Sequence, residues 1–181
     1  MNIPDPTPLP GRILDVPYVC TGDDAFPLTK YMMKPYPNKG LTKEKRVFNY
    51  RLSRMRRISE NGFGILTNRW RVFRRPFALQ PEKVKAITLA TISLHNWLRS
   101  ESSTGKIYIP LGLADYEDFE TGEITEGSWR QDDHPGTWGP MSTTRNNNSS
   151  KQAIAIREEF KNYFMNEGCV YWQWKCANVD I

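Results

Sequence analysis

The sequence predicts a mixed α/β chain that is mainly helical and carries one or a few strands, and three observations lead there. A short β-prone run, Val16 to Cys20, stops at Gly22-Asp23. Apolar residues then recur at helical spacing from about Lys43 to about Arg69, and again after Pro81. The 181 residues are 39% hydrophobic and 25% charged, the make-up of a folded domain rather than of a disordered or fibrous chain.

Each element has a local cause. Pro17 sits near the start of the first strand, where the missing N–H is best tolerated, and Thr21-Gly22-Asp23-Asp24 breaks it. Thr42 is placed to cap the first long helix, and Glu44 complements its dipole. On a wheel of about 100° per residue, Phe48, Leu52, Met55, Phe63, Leu66 and Trp70 form one apolar stripe. Asn49, Ser53, Arg56, Glu60 and Gly64 form a narrow polar strip beside it. Gly62 and Gly64 weaken a helix, so they point to a close backbone approach or a bend. Pro81 opens a second helix with Val84, Ile87, Thr91, Leu94 and Leu98 toward a core, and His95 beside them reads as a hydrogen-bonded core residue. The expected division is a core over 1–99, an irregular acidic and polar segment over 100–148, and a C-terminal helix with an aromatic tail over 149–181. In the last part Ser149 or Ser150 is the cap, Ala153, Ile156, Phe160 and Tyr163 the apolar face, and Gly168 the stop. Val170 to Trp174 reads as a short strand or an aromatic latch.

Composition narrows function. No run approaches the ~18 apolar residues of a membrane span, so no membrane partner is expected. Cys20, Cys169 and Cys176 form no CxxC and read as reduced structural thiols. There is no phosphate-binding glycine loop, dinucleotide turn or zinc spacing. Charge is the informative feature. From Lys30 to Arg75, 14 Lys or Arg face only Glu44 and Glu60, a local balance of +12, while Glu101 to Asp133 carries −7. A basic block of this density suits a phosphate backbone, and a solvated helix face is the alternative. Asp23 at a strand end and Glu60 on the basic helix are hard oxygen donors of the kind that hold a divalent cation; surface acids paired to Arg56 and Arg57 are the alternative.

Several runs together resemble the PIF/Harbinger transposase-derived nucleases. They are Tyr18 to Leu28 with its Gly22-Asp23-Asp24-Ala25-Phe26, Pro35-Tyr36-Pro37, Leu41 to Arg54, and Arg56 to Leu66 with its Ser59-Glu60-Asn61-Gly62-Phe63-Gly64. Arg69 to Phe73, Leu94 to Leu98, Gly127-Ser128-Trp129-Arg130, Arg157 to Phe164 and Trp172-Gln173 extend the likeness over nearly the whole chain. The resemblance implies part of an RNase H-like DDE nuclease fold, with three acidic residues holding Mg²⁺ or Mn²⁺ for DNA cleavage. By motif, Asp23 matches the second acid and Glu60 the third, with Asp24 the less suited neighbour, and Arg51, Arg54, Arg56 and Arg57 would track DNA. The first acid belongs on an earlier strand, and neither Asp5 nor Asp15 has that context, so the expectation is the C-terminal part of the nuclease. A Myb-like DNA-binding partner protein and a nuclear location are further implications. The competing expectation is a catalytically inactive relic that binds DNA or protein.

Overall fold

The computed structural model describes residues 2–101, 104–131 and 149–179. Helices and short strands are both present, compatible with a mixed α/β fold. The strands are β1 (Thr7–Pro8), β2 (Asp15–Val16), β3 (Cys20–Thr21), β4 (Met32–Met33), β5 (Tyr116–Glu117) and β6 (Ile124–Thr125). They form three two-stranded ladders: β1 with β2 antiparallel, β3 with β4 parallel, β5 with β6 antiparallel. The β-prone run at Val16 to Cys20 is thus the junction of two ladders rather than one strand. Residues 17–19, which belong to no strand, separate Val16 from Cys20, and each end finds a different partner.

The helices are α1 (Lys43–Arg69), α2 (Pro81–Ser100), α3 (Gly105–Tyr108), α4 (Lys151–Met165) and α5 (Gln173–Cys176). Two compact units divide the chain, one of Met1–Arg57 with Met141–Ile181, the other of Ile58–Pro140. No helix among the described residues is long and apolar enough to cross a membrane.

In the first unit the core gathers Leu28, Met33, Tyr36, Val47, Phe48, Leu52, Ala153, Ile156, Phe164 and Val179. Tyr36 is its polar hinge. Its hydroxyl donates to Glu158 at 2.6 Å while Lys45, Arg157 and Lys161 lie over its ring. Burial, and then Glu158, push the phenol well above its usual range, so it stays protonated. Ser150 caps α4 by accepting the Ala153 N–H at 3.1 Å. The helix stops where the Gly168 N–H reaches the Tyr163 carbonyl at 2.9 Å. The aromatic tail is a latch made of a helical turn, not a strand: Trp172 is buried, and Gln173, fully buried, donates to the Phe164 carbonyl at 2.9 Å. None of the three cysteines forms a disulfide, and Cys20 and Cys169 are exposed.

In the second unit α2 begins with Pro81 in its first turn and buries Thr91 and His95. Leu94, expected in the core, is 43% exposed, because the covering partner, Tyr108 at the end of α3, sits over His95 instead. Trp70 Nε1 donates to the Tyr108 hydroxyl at 2.9 Å, and that hydroxyl meets His95 Nδ1 at 2.8 Å. The Tyr108 hydroxyl thus joins the Trp70 indole to the His95 ring in one hydrogen-bonded chain. The segment over 104–131 is less irregular than its composition implies: Asp118 Oδ1 accepts the Glu120 and Thr121 N–H groups and so closes the β5–β6 hairpin. The Asn146-Asn147-Asn148 part of the low-complexity run lies outside the described residues.

The stripe read from the helical wheel splits. Phe48, Leu52 and Leu66 are buried, but Met55 and Phe63 are 41% and 56% exposed, and Val47 and Ile65 take buried places instead. Each half of α1 serves its own unit, so its buried face is set twice, and the middle of the stripe belongs to neither core.

The two glycines of α1 differ sharply. A Cβ on Gly64 would lie 2.2 Å from the Trp129 ring, whereas one on Gly62 would meet nothing within 4 Å. Gly64→Ala is therefore expected to destabilise by about 1–3 kcal/mol, and Gly62→Ala to stabilise by roughly 0.5–1 kcal/mol. Urea melts followed by tryptophan fluorescence compare the two; equal effects would remove the packing argument. His95 supplies a pH signature. Burial, with Arg99 second, lowers its pKa, so the unfolded chain binds the proton first. Stability is full above about pH 6.5 and falls as pH drops through the folded-state value. His95→Gln should flatten the melting profile between pH 7 and 5, and an unchanged slope would show that His95 does not carry it.

Candidate functional site

Asp23 emerges in the first unit from the β3 strand end. The parallel ladder continues one residue past β3, where the Gly22 N–H donates to the Met33 carbonyl at 2.9 Å. Gly22 is then packed against Phe26, 2.8 Å from where a Cβ would stand. That close turn aims Asp23 outward. Its Oδ1 accepts the Ala25 N–H at 3.0 Å, an Asx turn that fixes the carboxylate on its own backbone. Its Oδ2 lies 3.7 Å from Arg56 Nη1, with the two side chains 44% and 37% exposed. An ion pair this open contributes about 0–1 kcal/mol and is readily exchanged for another ligand. Asp24 is exposed, and its carbonyl accepts Lys34 Nζ at 2.7 Å.

A cleft of about 260 Å³ opens over this turn, with Asp23, Asp24, Asn49, Ser53 and Arg56 on its walls and Tyr36 and Leu52 among its apolar lining. Asn49 holds the opposite wall. Its Oδ1 accepts the Tyr36 N–H at 2.8 Å and its Nδ2 donates to the Tyr36 carbonyl at 2.9 Å, so Pro35-Tyr36-Pro37 is docked on α1 as if on a sheet edge. Asn49, Ser53 and Arg56 are members of the polar strip read from the sequence.

The arginines divide in role. Arg51 is half-buried; its Nη1 donates to the Gly168 carbonyl and to Gln173 Oε1, both at 3.3 Å, and its guanidinium lies 4.8 Å over Phe164. Burial lowers its pKa, with the neighbouring Arg54 next in effect. Arg54 stacks on Trp172 at 3.9 Å. Both spend their charge on the C-terminal latch, while Arg56 faces the cleft and Arg57 is half-buried.

Glu60 belongs to the second unit. It is 37% exposed and receives Arg130 Nη2 at 3.4 Å. The same guanidinium grips Asp115, with Nη2 2.6 Å from Oδ2 and Nε 2.9 and 3.2 Å from Oδ1 and Oδ2. Asp115 Oδ1 also accepts the Gly127 N–H at 2.9 Å, and its side chain is 1% exposed. Next to Glu60, Asn61 accepts the Asp115 N–H at 2.9 Å and the Trp129 indole N–H at 2.8 Å. The Glu60-Asn61-Gly62-Phe63-Gly64 motif is therefore a docking face for the Gly127-Ser128-Trp129-Arg130 motif.

Sequence reasoning passed over Asp115, Asn61 and Arg130 as site residues. A signal existed for Arg130, one of only two cations in the acidic segment. Asp115 had none, since nothing local distinguishes it from the eight other acids there.

Asp23 and Glu60 stand in separate units, each beside an arginine. Among the described residues no group of three or more His, Cys, Asp or Glu side chains is arranged to hold a metal ion. No curated protein and no solved structure shows a significant match to the chain. Residues 9–96, which contain Asp23, the α1 polar strip and Glu60, match the family model described as DDE superfamily endonuclease, and this supports the superfamily for that part of the chain.

Proposed function

We propose that the chain is the C-terminal part of a PIF/Harbinger-type, transposase-derived DNA endonuclease of RNase H-like fold that depends on a divalent cation. The observation that carries the reading is that the family match spans both acids, one of them on the wall of a polar cleft. A DDE endonuclease domain points to a transposase-derived nuclease with DNA as substrate.

As oxygen donors Asp23 and Glu60 are of the type that a hard cation takes. Asp23 and Glu60 offer carboxylate oxygens that are more than a third exposed; the Asx turn sets the direction of Asp23, and Arg130 stands at 3.4 Å from Glu60. A Mg²⁺ or Mn²⁺ ion held by such a carboxylate would place positive charge against the charge that develops on a cleaved phosphodiester. Asp23, pinned by its Asx turn, presents one oxygen to the cleft. Arg56 lines the same cleft, and its guanidinium would exchange Asp23 for a phosphate oxygen. The remaining basic side chains of Lys30 to Arg75 would follow the DNA backbone, and a Myb-like partner and a nuclear location accompany this reading.

A second reading, a non-catalytic DNA- or protein-binding relic, is favoured by the arginine beside each acid.

The readings separate in a Mn²⁺ titration of the chain followed by water-proton relaxation. For the nuclease reading, Asp23→Asn and Glu60→Gln are each expected to weaken Mn²⁺ binding by about tenfold or more, roughly 1.4 kcal/mol. Equal affinity in all three proteins would discard it in favour of the relic. Duplex DNA affinity should fall by orders of magnitude between about 50 and 200 mM salt. Salt-independent binding would discard backbone recognition in both readings.

A further inference from the structure

Two exposed tyrosines stand at one end of the parallel ladder of the first unit, and Asp23 stands at the other. Tyr18 comes two residues before β3 and Tyr31 immediately before β4, so in a parallel pair both lie at the N-terminal end. Each is tied down. The Tyr18 hydroxyl accepts from Thr7 Oγ1 at 3.3 Å, while the Tyr31 carbonyl accepts the Cys20 N–H at 2.8 Å and the Tyr31 N–H donates to Thr29 Oγ1 at 3.3 Å. The side chains nonetheless face water, with Tyr18 50% and Tyr31 42% exposed. The charge beside them has one sign. From Ala25 to Lys43 there is no Asp or Glu, and the cations are Lys30, Lys34, Lys39 and Lys43. Lys30 Nζ lies 5.0 Å over the Tyr31 ring, and Lys34, at the cleft end of β4, gives one of its three ammonium protons to the Asp24 carbonyl. At ~3.3 Å per residue, Tyr31 and Lys34 are roughly 10 Å apart along the chain, the length of about three stacked nucleotides.

We infer that Tyr18 and Tyr31 form a stacking platform for unpaired bases of a single DNA strand whose phosphates follow Lys30 and Lys34 toward the Asp23 cleft. The inference rests on the reading of the chain as one that acts on DNA, and it needs no metal ion. In a duplex the bases stack on one another and show only their edges, so a tyrosine ring takes a base only from a strand that is open. Every base has a π-face, so such a platform accepts any sequence. The lysines supply the sequence-independent attraction to the backbone, and the rings decide that the strand is single.

The experiment is fluorescence anisotropy of the full chain with three labelled ligands: a single DNA strand, the same strand in a blunt duplex, and a strand of abasic sugar-phosphate units. Circular-dichroism melts follow the fold. The parent is expected to bind the single strand about tenfold or more tightly than the abasic strand. Tyr18→Ala and Tyr31→Ala should each weaken single-strand binding by about fivefold to tenfold and leave duplex and abasic binding as in the parent. Tyr31→Phe should keep the parent's affinity, because the ring stacks and the hydroxyl does not. Equal loss on all three ligands, or a Phe variant as weak as the Ala variant, would overturn the inference. If the Ala variants do not fold, the parent decides: tighter binding of the strand with bases supports the platform, and equal affinity for the abasic strand overturns it. The duplex separates the levels. If the parent binds neither duplex nor single strand, the DNA reading fails and takes this inference with it; if it binds duplex while neither the tyrosines nor the bases affect single-strand affinity, only the inference fails.

Discussion

The structure depends on α1 using asparagine side chains to hold irregular backbone. Asn49 pairs with both the N–H and the carbonyl of Tyr36, and Asn61 pairs with both groups of Asp115. A segment outside a sheet must satisfy its buried amide groups somehow, and a primary amide offers a donor and an acceptor at the spacing of a neighbouring strand. One clamp builds the wall of the cleft that Asp23 shares. The other brings Asp115, and through it Arg130, to Glu60. Because both bind backbone atoms, the side chains of the residues they hold take other partners, Tyr36 bonding Glu158 and Asp115 bonding Arg130.

The clamps also explain how a chain with so little sheet keeps order. Its ladders are two residues long and cannot stabilise themselves. What fixes them is apolar packing in the first unit and side-chain bonds to loops in both. Arg51 and Arg54 belong to that same economy: cations that look available for a ligand are stacked on Phe164 and Trp172, so the block of positive charge is partly an internal adhesive. The surface that a polyanion would meet is therefore less charged than the composition implies.

Much of this was legible in the residues, and the rest was hidden for identifiable reasons. Local signals worked: Pro81 marked a helix start, Ser150 a cap, Gly168 a stop, and His95 a hydrogen-bonded interior residue. The polar strip of α1 was also visible, since Asn49, Ser53 and Arg56 do line the cleft. The apolar stripe misplaced Met55 and Phe63 because periodicity assumes one burying partner along a helix, and α1 has a different one for each half. Asp115 was invisible because its role comes from contacts with residues far away in sequence. The RNase H-like sheet that the resemblance implies is likewise a matter of long-range pairing, about which strand-prone runs of two or three residues carry little information.

The close seat of Trp129 on Gly64 ties two distant stretches of sequence together. The indole fills the space that any side chain at 64 would need and spends its N–H on Asn61. Neither position can then drift alone: a larger residue on the helix requires a smaller one on the loop, and a smaller loop residue leaves a cavity and an unsatisfied amide. The helix motif and the loop motif would thus covary as a single inherited module, and a recombination joining the helix of one relative to the loop of another would fail at this contact first.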